Sequence, residues 1–259
     1  MDKWLPLVKS KNPLCLILTS SLFSQFSFLT FGFSTRVGGV GKEPFGMNLS
    51  FSVGDNENNV QHNRKVFFDS LQIVENKVAF TKQIHSNNIS HVYESGKYEN
   101  CDALITREQN LFLAITVADC VPIFLLDKKE KVVAAIHSGW RGCVNGILLR
   151  TLAEMENTFQ TKGENILCYV GPCAEKCCYE VGNDVTEHFS EKYFTPNKRG
   201  KFFLDMKLFL NDMLQSFGVP QSQIEIENAC TIHQQEIFHS YRRDGKNSGR
   251  MMGVIGMKN

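Results

Sequence analysis

Apolar positions recur at two periods along this chain, and the switches between them mark out its elements. After Asp55, a residue type suited to a helix N-cap, Val60, Phe67, Phe68 and Leu71 recur at helical spacing, which predicts a helix to residue 71 with that stripe buried. Val144, Ile147, Leu148, Leu152, Met155 and Phe159 form a second such stripe, after the segment 138–142. A third helix is capped by Asp205, buries Phe209, Leu210, Met213, Leu214 and Phe217, and stops at Gly218 and Pro220. Residues 181–193 read as a further helix.

Shorter apolar runs read as strands. They cover residues 77–81 and 89–93 around a polar loop containing His85, then 103–106, 111–126, 131–137, 166–170, 224–228 and 251–255. The partly apolar stretch 13–33 adds one or two early strands. Strands and helices alternate, yet at least one strand pair is a hairpin, so the expected class is α/β (α+β) with a mixed sheet. No repeat, charge block or low-complexity linker divides the chain. Residues 196–201 form an exposed loop too short to separate two domains, so a single domain over residues 1–259 is expected.

The hairpin carries the most chemistry. With residues 127–130 as the turn and Asp127 opposite Glu130, Leu126 faces Lys131, Phe124 faces Val133, and Cys120 faces His137. Opposed side chains share a face with Cβ atoms about 4.5–5.5 Å apart. A thiolate and an imidazole at that separation can hold one metal ion, whereas a one-residue slip destroys the arrangement. Both faces of the hairpin are apolar, so a sheet buried on both sides follows. Three readings of the pair stand at this point. It is a buried thiol beside a structural histidine, or a cysteine nucleophile activated by His137, or two ligands of a metal. Asp119 does not obviously help Cys120, because strand neighbours face opposite sides. His85, in the polar loop 82–86, is the obvious third ligand, although spacing does not establish that it converges.

Composition then removes several classes. Lys and Arg total 28 against 27 Asp and Glu, a net charge of +1, which disfavours a nucleic-acid-binding surface. No apolar run approaches the about 18 residues of a membrane helix, and residues 13–33 lack the cleavage site of a signal peptide. The nine cysteines are odd in number and lack small-scaffold spacing. A secreted disulfide framework is therefore disfavoured, and reduced thiols in a cytoplasm are expected. The cluster Cys173, Cys177 and Cys178 lacks two separated pairs and is read as binding no metal.

Other segments offer charge. Residues 138–142 join a strand to a helix, where free N–H groups and Arg141 suit an anion or a structural turn equally. Residues 35–41 are glycine-rich but match no nucleotide fingerprint, and form either a turn or a lid carrying Arg36. Arg242 and Arg243, with Arg250 nearby, mark a basic, turn-rich loop that is either solvated or anion-binding.

Taken together, FSTRVGGVG (residues 33–41), NLSFSVGD (48–55), KQIHS (82–86), CDALIT (101–106), TVADCVPIFLLD (116–127), AAIHSGWRG (134–142), YVGPC (169–173), YEVG (179–182), SYRRDG (240–245) and SGRM (248–251) are in the order of a known family. The chain resembles the YfiH family, also called the laccase-domain or multicopper polyphenol oxidase family. His233 stands where members often carry a second cysteine, and the Cys177–Cys178 pair is atypical. The resemblance implies a mixed β core sandwiched by helices, related to a group of cysteine hydrolases. It implies zinc on His85, Cys120 and His137, which would also be the catalytic residues. The implied activity is phosphorolysis of purine nucleosides: adenosine, inosine and 5′-methylthioadenosine react with phosphate to give free base and ribose 1-phosphate, with adenosine deamination beside it. Zinc would lower the pKa of a bound water toward about 7 for attack on C6 of adenosine. Arg36, Arg141, Arg242 or Arg243 would hold phosphate. The family's copper-oxidase label is the weaker chemistry, since one cysteine and two histidines cannot make several copper sites. Some bacterial relatives imply another alternative, a hydrolase that edits peptidoglycan precursors.

Overall fold

The computed structural model describes residues 15–259, so the expected start of the first strand at residue 13 lies outside the described residues. The chain runs through β1 (Cys15–Leu18), β2 (Leu29–Gly38), α1 (Glu57–Ser70), β3 (Val78–Lys82), β4 (Ile89–His91), β5 (Gly96–Glu99), β6 (Ala103–Thr106), β7 (Leu111–Val117), β8 (Val121–Asp127) and β9 (Val132–Ser138). It continues through α2 (Trp140–Val144), α3 (Ile147–Phe159), β10 (Ile166–Val170), β11 (Glu180–Val181), α4 (Asn183–Thr186), β12 (Phe194–Pro196), β13 (Phe202–Leu204), α5 (Met206–Ser216), β14 (Ile224–Ile226), α6 (Tyr241–Asp244) and β15 (Met251–Met257).

Two mixed six-stranded sheets form the centre, ordered β1-β2-β15-β7-β3-β5 and β14-β10-β8-β9-β6-β4. Between them lie Phe31, Phe33, Leu113 and Ile115 from the first sheet and Phe124, Leu126, Val133 and Tyr169 from the second. The outer face of the first sheet packs Phe112, Ala114, Met252 and Val254 under Phe67 and Phe68 of α1. The outer face of the second packs Ile123, Leu125, Ala134 and Ile136 under α3 and α5. The result is four layers, helix–sheet–sheet–helix, the mixed α/β architecture expected. A small sheet, β11-β13-β12, flanks it, and its β12–β13 hairpin contains the loop expected at 196–201.

The differences from expectation have local causes. The long run 111–126 is two strands in different sheets, because Asp119 adopts φ +87° and turns the chain from one layer into the other. The turn after β8 is longer than expected. Asp127 is the last residue of β8, its carboxylate accepts from the N–H groups of Lys129 and Glu130 at 2.9 and 3.1 Å, and Lys131 takes φ +54°. Leu126 therefore pairs with Val133, and Pro122, not Cys120, pairs with His137. The shift is two residues, so every side chain keeps its face. Asn56 rather than Asp55 caps α1. The stripe over residues 144–159 is split into α2 and α3 at Gly146, which has φ +75°. Residues 181–193 do not form one helix: only Asn183–Thr186 is α-helical, and Phe189 and Tyr193 reach the core from turns, each packing edge-on against Phe209 at 4.9 Å.

Candidate metal centre and cavity

Three segments converge where the chain passes between the sheets. His137 is near the end of β9, Cys120 directly precedes β8, and His85 lies in the loop after β3. One ligand atom from each lies within 4.8 Å of the others, and the two imidazole rings meet edge-on with centroids 4.8 Å apart. Cys120 stands one pleat beyond Pro122 on the same face, so it reaches His137 diagonally rather than directly across. Gly139 makes room for the group: a Cβ there would lie 2.7 Å from His85 Nδ1 and 3.1 Å from Cys120 Sγ. A Cβ on Gly142 would lie 2.9 Å from the Ser86 carbonyl. The glycines of residues 138–142 thus admit the His85 loop.

Asp102, at the foot of β6 and fully buried, holds the arrangement together. Its carboxylate accepts from the backbone N–H groups of Ile84, His85 and Ser86 at 3.3, 3.1 and 2.7 Å and from Ser86 Oγ at 2.7 Å. These bonds fix a loop in which His85 takes φ +59°. The same carboxylate accepts from His137 Nδ1 at 2.8 Å, which leaves Nε2 as the ring atom that could take an ion once its proton is displaced. Burial pushes the Asp102 carboxyl up, but the bonds from His137 and Ser86 win and bring it down to about 2. Burial likewise opposes charge on Cys120 and on His137. Their mutual attraction overrides it, with help from His85 on the thiol and from Asp102 on the imidazole, and the thiol falls to about 6 while His137 rises to about 9. A thiolate, an imidazole with a fixed tautomer and a second imidazole form a donor set that fits a zinc-type ion.

The three side chains line a cavity of about 750 Å³. Its walls are aromatic and cationic. Arg64 of α1 lies over Phe51 and Phe80, 4.5 and 4.6 Å from the ring centroids, and Arg250 lies over Tyr241 at 5.5 Å. The Gln83 amide bonds the backbone N–H and carbonyl of Thr116 at 3.0 and 2.8 Å, tying the His85 loop to β7. None of the four arginines expected to hold phosphate lines this cavity. Arg36 is engaged by the Gln235 carbonyl and Glu43, and Arg141 lies over Trp140 beside a separate hollow. Arg242 is bonded to the Glu180 carbonyl, and Arg243 to Asp244 and the carbonyls of Thr231 and Phe238. The signal for Arg64 was present: it falls on the stripe of Val60, Phe67 and Phe68, where a charge has no place unless it has partners.

Asp119 points away from Cys120. Its carboxylate accepts from Thr231 Oγ1 and from the Arg242 N–H, each at 2.6 Å, which joins the loops behind the centre. Of the cysteine cluster, Cys173 is buried in the core under α5, while Cys177 and Cys178 meet Cys230 instead, with one sulfur from each within 4.8 Å of the others.

Comparison with known proteins gives a consistent family. A family model described as "Multi-copper polyphenol oxidoreductase laccase" matches residues 30–258. A purine nucleoside phosphorylase of Bacteroides thetaiotaomicron is 32% identical over 250 residues, covering 90% of this chain and 93% of the relative. One from Corynebacterium glutamicum is 36% identical over 231 residues, covering 86% and 92%. Among solved structures, YlmD from Geobacillus stearothermophilus superposes with a TM-score of 0.90 at 26% identity, covering 98% of this chain and 99% of that one. The Bacillus licheniformis protein YfiH gives 0.85 at 30% identity, covering 96% and 98%.

Proposed function

The chain belongs to the multi-copper polyphenol oxidoreductase laccase family, and on that premise we propose that it is a purine nucleoside phosphorylase. One observation carries the reading: His85, Cys120 and His137 form a single donor set on a cavity of about 750 Å³ whose walls combine aromatic rings with guanidinium groups. That is a place for a flat base, a ribose and an anion together. The relatives named for this activity support the same assignment. In the proposed reaction phosphate oxygen bonds to C1′ as the glycosidic C–N bond breaks, giving free base and ribose 1-phosphate. Arg250 and Arg64 take the role of holding phosphate, and Phe51, Phe80 or Tyr241 stack the base. Asp102 keeps the His137 tautomer and the His85 loop fixed through turnover. Zinc on the three ligands would supply Lewis-acid stabilisation of developing negative charge.

A multi-copper oxidase is disfavoured by the donors. Among the described residues the other candidate metal group is all sulfur, and no histidine-rich set stands beside the first. The test uses metal-quantified protein with adenosine, inosine and 5′-methylthioadenosine, with and without phosphate. Phosphate-dependent release of base is expected, and inosine formed from adenosine without phosphate reports the deaminase side reaction. Cys120→Ala and His137→Ala should each lower kcat/KM by more than about a hundred-fold, beyond the usual cost of losing a group behind a ligand. Unchanged cleavage in those variants would refute the centre. Inactivity of a folded, zinc-loaded wild type on all three nucleosides would refute the substrate.

A further inference from the structure

Away from the cavity, the chain gathers three more thiols. A turn closed by the Cys178 N–H donating to the Glu175 carbonyl at 2.8 Å sets Cys177 and Cys178 side by side, with sulfurs 3.5 Å apart. Cys230 arrives from a distant loop. The backbone of Cys173 bridges to Cys230, and the Thr231 N–H donates to the Cys173 carbonyl at 2.9 Å, so its position is set by main chain. The three sulfurs lie within 4.8 Å of one another, graded from buried Cys230 through half-buried Cys178 to exposed Cys177.

Such a group needs a reason. Thiols are weak hydrogen-bond partners, so three in contact gain little from one another. A sulfur–sulfur distance of 3.5 Å is far from a disulfide bond of about 2.05 Å. It is close to what a shared ion requires: metal–sulfur bonds of about 2.3 Å in a trigonal plane put the sulfurs about 4 Å apart. Glu175, the acidic side chain beside Cys178, is already paired with Lys207, which limits its opposition to further negative charge. Exposure of Cys177 gives an ion a way in from solvent, and burial of Cys230 gives it a fixed ligand inside. Cys177 and Cys178 also fall between the stretches that carry the family resemblance.

We propose that Cys177, Cys178 and Cys230 form a second metal site, separate from the His85–Cys120–His137 centre, which takes a thiophilic d10 cation, Cu(I), in three-thiolate coordination. Each thiol releases its proton to solvent as its sulfur bonds the ion, and no electron is transferred. The mixed sulfur–nitrogen centre suits zinc, and the all-sulfur site suits the softer ion, so one protein sorts the two metals.

The experiment loads reduced, full-length protein anaerobically with Cu(I) presented by a competing chelator, and separately with Zn(II). Bound metal is counted after desalting, and metal–sulfur coordination is read by X-ray absorption. Wild type should retain one more Cu(I) than Cys177→Ser/Cys178→Ser, and Cys120→Ala should keep that ion. Its absorption spectrum should show three sulfurs and no nitrogen. Equal copper in wild type and the double variant overturns the site, as does nitrogen coordination of the extra ion. An extra ion that is Zn(II) and never Cu(I) overturns the ion assignment. Alkylation of Cys177 in folded wild type is an independent check: Cu(I) should protect it at least ten-fold, and undiminished labelling refutes the proposal without relying on a variant's fold.

Discussion

At the scale of single residues, the candidate centre depends on what surrounds its donors. Gly139 has no room for a methyl group between His85 and Cys120. Gly139→Ala is therefore expected to weaken metal binding at the candidate centre about 10–100-fold while the far-ultraviolet circular dichroism stays native, and a chelator competition titration measures it. Asp102→Asn keeps the shape but presents an amide where several N–H donors converge. It should cost about 1–3 kcal/mol in urea unfolding and lower metal affinity at the candidate centre about 10–100-fold; wild-type values for both would show that Asp102 orients nothing. Asp102 was hidden in the sequence because its partners are mostly backbone N–H groups, which carry no residue signature. His239 makes a different point. It is fully buried, neither ring nitrogen has a protein partner among the described residues, and burial followed by the charges of Arg36 and Arg250 lowers its pKa to about 3. The unfolded chain, at the ordinary 6.5, binds the proton first. Stability is then whole above that pH and falls as the pH drops toward 3, by about 1.4 kcal/mol per unit. His239→Asn should remove that slope, as unfolding at pH 7, 6 and 5 will show.

At the scale of elements, the sequence read faces better than ends. The stripe of α1, the fully buried and mostly apolar β8 and β9 and the capped α5 were legible because periodicity reports which side is buried. The register of β8 on β9 was not, because Asp127 and Lys131 build a longer turn through a side-chain bond and a left-handed residue. The meeting of Cys120 with His137 survived because a two-residue error leaves parity intact. The break at Gly146 and the loss of helix over 181–193 escaped for the opposite reason: apolar spacing continued while the backbone did not. Element packing also gives a stability test. A Cβ on Gly253 of β15 would run into the Phe124 ring and lie 2.9 Å from Phe33 between the sheets. Gly253→Ala should destabilise by about 1–3 kcal/mol in urea without changing the metal content of the purified protein.

At the scale of the whole molecule, the four layers explain why the candidate site is where it is. The chain crosses from one sheet to the other at Asp119, and a crossing leaves a seam that no strand fills. Cys120 sits on that seam, with ligands from the strand and loop on either side. The outer helix α1 adds Arg64, and the loop before β15 adds Arg250, so the cavity draws on segments remote in sequence. Long-range assembly of this kind is beyond the reach of local pattern, which is why the donors were legible and the cationic wall was not. Among the described residues, no helix is long and apolar enough to cross a membrane.

The central position of β15 has a further consequence. It pairs with β2 on one side and β7 on the other, and Met252 bonds Ser34 across 218 residues of sequence. The sheet that carries His137, and that Cys120 leads into, draws its strands from between Ile89 and Ile226, whereas the first sheet is a pair of disconnected halves until β15 arrives. Synthesis thus delivers the bed of the candidate centre early and the keystone of the other sheet late. During that interval the apolar face meant to lie between the sheets is half-covered, so the nascent chain is most exposed to aggregation just before residues 251–257 emerge from the ribosome.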